Sequence, residues 1–152
     1  MHLSSSMSSS ETALMRSHLA AISPQLVPML QQCVRTLSAT FPQADRLFPL
    51  ATKRQRYDAA CVVSHVAKNI ADPDAIRDWL KSMGTHLAMH GFTVDDCRAA
   101  KQALLNAMRD HSGSSWTPEL ERVFRGAFEQ VCDMVSSGMP AATVRNTLRL
   151  AA

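Results

Sequence analysis

Apolar side chains in this chain recur at steps of three and four residues, and residues that start and stop helices stand between the runs. Residues 11–22 carry Leu14, His18, Leu19 and Ile22 in phase. Ser23-Pro24 then reads as an N-cap and a proline at the first helical position of a helix running to about residue 39, with Leu26, Leu30, Val34 and Leu37 on one face. Phe41-Pro42 stops it, and residues 45–50 form a short turn or helix that sets Leu47 beside Phe48. A long helix over 54–70 points Ala59, Val62, Val63, Val66 and Ile70 inward. Asp72-Pro73 caps the next, which His90-Gly91 ends. Thr93-x-x-Asp96, an acidic variant of the capping box, opens a helix through Ala99, Ala103, Leu104 and Met108. After a loop at 111–115, Thr117-Pro118 begins a last long helix carrying Leu120, Val123, Phe124, Ala127, Phe128, Val131 and Val135. The pattern predicts an all-α bundle of six to eight helices. Residues 1–10 read as a disordered Ser-rich leader, 11–137 as the domain and 138–152 as a tail.

Within the 73–90 helix, Ile76, Trp79, Leu80, Met83, Leu87 and His90 make an apolar stripe, and His86 falls on it three residues after Met83. An imidazole aimed at an apolar interior must be satisfied there or bind something, because burying an unpaired polar group costs on the order of 1–3 kcal/mol. A satisfied core or boundary histidine is the ordinary reading of any such residue; a neutral imidazole holding a metal is the sharper one.

Composition narrows the classes. At 152 residues, 46% hydrophobic and 19% charged, with 5 Gly and 9 Met, the chain reads as one globular helical domain. A net charge of +3 with scattered Lys and Arg argues against nucleic acid, and Lys53-Arg54-Gln55-Arg56 is its only basic run. No apolar run approaches the roughly 18 residues of a membrane span, and residues 1–10 lack the features of a signal peptide. Cys33, Cys61, Cys97 and Cys132 show no C-x-x-C spacing, so free buried thiols in a reducing, cytoplasmic setting are expected rather than disulfides or zinc.

Four segments in order resemble the globin family over about residues 11–135. Phe41-Pro-Gln-Ala-Asp-Arg-Leu-Phe48 is similar to the end of the globin B helix and the C helix, with Phe48 matching the phenylalanine that packs on haem. Asn69-Ile70-x-Asp72 resembles the end of the E helix. Met83-Gly84-x-His86 with Gly91-Phe92 resembles the F helix and the corner after it. Trp116-Thr-Pro-Glu-Leu-Glu121 resembles the start of the H helix in bacterial single-domain and flavohaemoglobin-type globins. The resemblance implies haem b, with iron held by a proximal histidine, in a pocket across which the 54–70 and 73–90 helices face each other. Bacterial spacing puts Leu87 at the ligand position; the longer vertebrate-type corner puts His86 there, with His90 and Phe92 following in register, and His86 is the ligand taken.

By the same resemblance Gln55 or Tyr57 stands over the iron, while Ala59, Val62 and Leu104 line the haem pocket. His90 either contacts a propionate or is an exposed residue at a helix end. Val34 occupies the place of the common distal tyrosine, and Cys97 and Phe128 replace the polar groups that make the proximal imidazole more basic. The expected function is reversible binding of a diatomic gas (O₂, NO or CO) for scavenging, storage or sensing, in a binding protein rather than an enzyme. The alternative is a haem-free globin-fold sensor or interaction domain. A third reading, NO dioxygenase or peroxidase-like chemistry, needs an external reductase. A homodimer is compatible with all three.

Overall fold

Hydroxyl side chains open four of the long helices in the computed structural model, which describes residues 7–140. Ser8 accepts from the Glu11 N–H at the start of α1 (Ser9–Ile22), Thr52 from Gln55 at α4 (Lys53–Lys68), Thr93 from Asp96 at α6 (Val94–Ser112), and Thr117 from Leu120 at α7 (Pro118–Ser136). The first three are full capping boxes, each satisfying two backbone donors that a bare helix end leaves unpaired. Between them lie α2 (Leu26–Leu37), the single turn α3 (Ala44–Leu47) and α5 (Arg77–Met89). The described residues contain no strand, and no helix among them is long and apolar enough to cross a membrane.

Three punctuation marks work differently from the sequence reading. Ser8 to Ser10, assigned to the leader, are the cap and first turn of α1. Ser23 lies inside a 3-10 turn (Ser23–Gln25) that carries α1 almost directly into α2. Asp72 precedes a 3-10 turn (Pro73–Ile76) without a side-chain capping bond. The end of α5 is as read. Gly91 takes φ 86°, its N–H bonds to the Ala88 carbonyl, and the Phe92 N–H reaches back to Leu87, the paired bonds of a Schellman cap.

Helix α2 lies along α6, and α5 and α6 each pack on α7. One core, with Met15, Met29, Leu105, Met108 and Phe124, joins α1 to one half of α6 and α7. His18 belongs to it: its Nε2 lies 2.9 Å from Ser112 Oγ, and its ring meets Trp116 and Phe124 edge-on. The other core, with Leu37, Phe41, Leu80, Leu87, Phe92 and Val135, joins α2 and α5 to the opposite half.

Two glycines let α5 and α7 approach backbone to backbone. A Cβ on Gly84 would stand 1.8 Å from the Val135 carbonyl oxygen, and one on Gly138 would stand 2.0 Å from that of Lys81. Thr85 Oγ1 donates to the Gly138 carbonyl at 3.0 Å across the same seam. Helix α4 is the opposite case, since none of its 16 residues is buried. The expected inward positions Ala59, Val63 and Val66 are half-exposed and Val62 is exposed. Nor does α4 face α5 across a pocket; the two meet near one end, where the His65 and Trp79 rings pack edge-on at 4.7 Å.

The seam predicts a sharp contrast between two glycines. Gly84→Ala must push α5 off α7 and is expected to cost on the order of 1–3 kcal/mol. Gly126→Ala, on the open face of α7 with nothing near the added methyl, is expected to stabilise by about 0.5–1 kcal/mol. Urea midpoints of the two variants decide it.

Burial lowers the His18 pKa below its ordinary 6.5. The unfolded chain therefore binds the extra proton first, so this contribution to stability is complete above about pH 6.5 and fades as the pH falls. Replacing His18 by Gln, which keeps a hydrogen-bonding group for Ser112 but does not titrate, is expected to flatten the dependence of Tm on pH between about 5 and 7.

Candidate ligand cavity

The unpacked face of α4 roofs a cavity of about 480 Å³. Leu30, Val34 and Leu37 of α2 form one wall, and Leu47, Phe48, Pro49 and Leu50 of the α3–α4 connection form the next. Ala59, Val62 and Val63 hang from α4, while Leu104 of α6 and Phe128, Val131 and Val135 of α7 make the floor. These side chains share the space because the Phe41-Pro42 stop turns the chain out of α2, and the Thr52 cap restarts it as α4 before the gap can close. The volume falls within the roughly 300–1,000 Å³ range of small-molecule sites.

Polar groups on this surface are few, and most are engaged. Gln55 Oε1 accepts from the Ala51 and Thr52 N–H groups at 3.0 Å each, so its carbonyl end serves the cap of α4. Arg56 donates to the Leu50 and Ala51 carbonyls and holds the connection against the helix start. Asp58 at the mouth pairs with Arg54. Lys101 on α6 pairs with Glu129 on α7 at 3.5 Å. Three thiols complete the lining. Burial pushes Cys33 up to about 11, keeping it protonated near neutral pH. Cys97 and Cys132 face each other across α6 and α7 with 2.9 Å between their sulfurs. Cys61, expected to be buried, is exposed on the outer side of α4.

The structure brings together Phe48, Gln55, Ala59, Val62 and Leu104 of the residues singled out in the sequence. It leaves the others elsewhere. Tyr57 is 66% exposed and borders a surface groove with Cys61 and His65. Phe92 is sealed in the core, edge-on to Phe41 and Phe48. His86 and His90 are exposed, their rings 4.9 Å apart on the outside of α5.

The inward placing of His86 is thereby corrected, and the reason is helical phase. Gly84 turns toward α7, which sets Ile76, Leu80 and Leu87 inward. One residue is about 100° of rotation, so a helix that buries Leu87 turns His86 away. Trp79, on the same flank as His86, is likewise 37% exposed. Lys101, Asp58 and Cys132 were not singled out as lining residues, and Cys97 was placed only in the surroundings of the proximal histidine. A signal existed for the cysteines, since Cys97 lies in phase with Leu104, and Cys132 with Phe128 and Val135, on inward faces.

A histidine-ligated haem requires an imidazole within reach of the iron. None of the described histidines lines the cavity, and no helix α5 residue does. Among the described residues there is also no group of three or more His, Cys, Asp or Glu that could hold a metal ion. The lining does not fit a haem bound through histidine. No family model matches the chain, and no curated protein matches it.

The phase of α5 has a direct test in stability. Leu87→Ala is expected to cost about 2–4 kcal/mol, the usual loss for a buried leucine. His86→Ala is expected to stay within about 0.5 kcal/mol of the parent. Denaturant titration of both variants reads the result, and equal losses would mean that His86 belongs to the core.

Proposed function

We propose that this chain is a haem-free ligand-binding module on a globin-like bundle, taking a neutral apolar small molecule into the cavity under α4. The globin-like part of the reading is supported by the order of the helices, with the short α3 between α2 and α4 and Phe48 at the corner. The observation that carries the ligand part is α4 itself: a 16-residue helix whose apolar face covers a gap and has no fully buried residue. Exposed apolar surface on both sides of a gap favours whatever fills it. Each ~100 Å² of apolar surface removed from water contributes roughly 2.5 kcal/mol before the costs of ordering.

The lining also indicates the ligand class. Its area is dominated by aliphatic and aromatic side chains, so shape and apolarity select the guest. The charged side chains at the edge already hold partners, Lys101 with Glu129 and Asp58 with Arg54, so an anionic guest would have to displace one. Filling the gap would pin α4 against α2, α6 and α7, which converts occupancy into order of one helix. That coupling is the form a sensor or interaction domain requires.

The test uses the neutral fluorophore N-phenyl-1-naphthylamine with the full-length chain. Saturable one-to-one binding with a blue-shifted emission is expected, with a rise in Tm equivalent to about 2.7 kcal/mol at a hundredfold excess over Kd. Val34→Trp, which fills the cavity from α2, is expected to weaken binding at least tenfold while leaving helicity by circular dichroism intact. Hydrogen exchange in α4 is expected to slow when the probe is bound. Absence of saturable binding overturns the proposal. So does a Soret band on titration with haemin that survives gel filtration and disappears in His86→Ala.

A further inference from the structure

Cys97 and Cys132 come from helices that are antiparallel neighbours, and their sulfurs are 2.9 Å apart, closer than two thiols pack without an interaction between them. A disulfide needs about 2.05 Å between sulfurs, so closure asks for a movement of less than about 1 Å. Cys132 has two outlooks. On one side it lines the apolar cavity; on the other it lines a polar surface pocket with Arg98, Lys101, Asp133 and Ser136. A small polar oxidant can approach Cys132 from that outer side, which Cys97 does not line.

We propose that Cys97 and Cys132 form a peroxide-reactive dithiol in which Cys132 attacks and Cys97 resolves. The Cys132 thiolate attacks one oxygen of hydrogen peroxide. An S–O bond forms, the O–O bond breaks, and the departing hydroxide takes a proton to become water. Cys97 sulfur then attacks the Cys132 sulfenic acid. The S–S bond forms, the S–O bond breaks, and hydroxide leaves with the Cys97 proton as a second water. Two thiols lose two electrons in total, and one peroxide gains them.

The environment divides the roles the same way. The shared proton with Cys97, the Ser136 hydroxyl and the Lys101 ammonium lower Cys132 to about 7, against the opposing effects of burial and Asp133. The same sharing pushes Cys97 up, so it keeps its proton until Cys132 has been oxidised. Cys33 is a third thiol on the cavity, but it is raised to about 11 and its sulfur is directed at the Ala100 carbonyl. Cys61 is exposed on α4, away from the pair. The dithiol does not depend on the ligand reading of the cavity.

The experiment uses the reduced full-length chain carrying Cys33→Ala and Cys61→Ser, exposed to one equivalent of hydrogen peroxide. Intact mass after alkylation is expected to show loss of two hydrogens with neither cysteine alkylated. Peptide mapping is expected to join Cys97 to Cys132, and dithiothreitol to reverse the change. Adding Cys97→Ser is expected to leave a Cys132 sulfenic acid that dimedone traps, and adding Cys132→Ser to slow oxidation at least about tenfold. Circular dichroism of each variant establishes that it is folded. In the parent with all four cysteines, Cys33 and Cys61 are expected to remain alkylatable after the pair has closed. Two alkylatable cysteines after peroxide in the chain carrying Cys33→Ala and Cys61→Ser, a disulfide between two chains, or equal oxidation rates when Cys97→Ser or Cys132→Ser is added would each overturn the proposal.

Discussion

Helix α5 can approach α7 so closely only because Gly84 presents no side chain to the Val135 carbonyl, and the rest of the arrangement follows from that contact. The approach fixes the rotation of α5 about its own axis. With Gly84 against α7, Leu80 and Leu87 are committed to the core, and His86 and His90 to the outside. Gly138 and the Thr85 hydroxyl repeat the constraint on the other side of the seam, so α5 is held by backbone as well as by side chains. Close packing leaves little room for a compromise rotation, because interiors respond to overlaps of even a methyl group.

A helix locked onto α7 is not available to line a pocket under α4. The cavity is instead bounded by α2, the α3–α4 connection, α6 and α7, with α4 as its roof. Its chemistry is that of those elements: aliphatic side chains, two phenylalanines and three thiols, with charged groups confined to paired positions at the edge. The α-helix with no fully buried residue therefore sits over the most apolar gap. Local stability follows burial, so α4 is the element whose order has most to gain from an occupant.

The two thiols on the floor bring another kind of reactivity to the same region. Cys97 and Cys132 belong to the core between α6 and α7, yet Cys132 also borders a polar pocket beside Lys101. Burial raises the pKa of a thiol, as at Cys33; a neighbouring thiol, a hydroxyl and an ammonium reverse that at Cys132.

Much of the fold was legible residue by residue. The Thr93-x-x-Asp96 box, the Thr117-Pro118 start and the Gly91 stop are local devices, so they bound the same helices in the folded chain as in the sequence, whereas Ser23-Pro24 and Pro73 fall in 3-10 turns. Periodicity likewise placed Leu30, Val34, Ala59, Val62 and Leu104 on faces that meet at the cavity. Phase in α5 was a different matter. In the sequence one broad stripe runs through Ile76, Trp79, Leu80, Met83, Leu87 and His90, and periodicity alone does not say whether its centre lies on the Leu80–Leu87 side or on the Trp79–His86 side. The choice lies in a contact with Val135, a third of the chain away, where the missing side chain of Gly84 counts for more than the large one of Trp79. The pairing of Cys97 with Cys132 has the same origin, since a separation of 35 residues becomes 2.9 Å only when α6 and α7 are packed. The sequence by itself determined where α6 and α7 begin and where α5 ends, because caps and turns act within a few residues. Tertiary structure decided which way α5 faces, because that depends on how closely two backbones can approach.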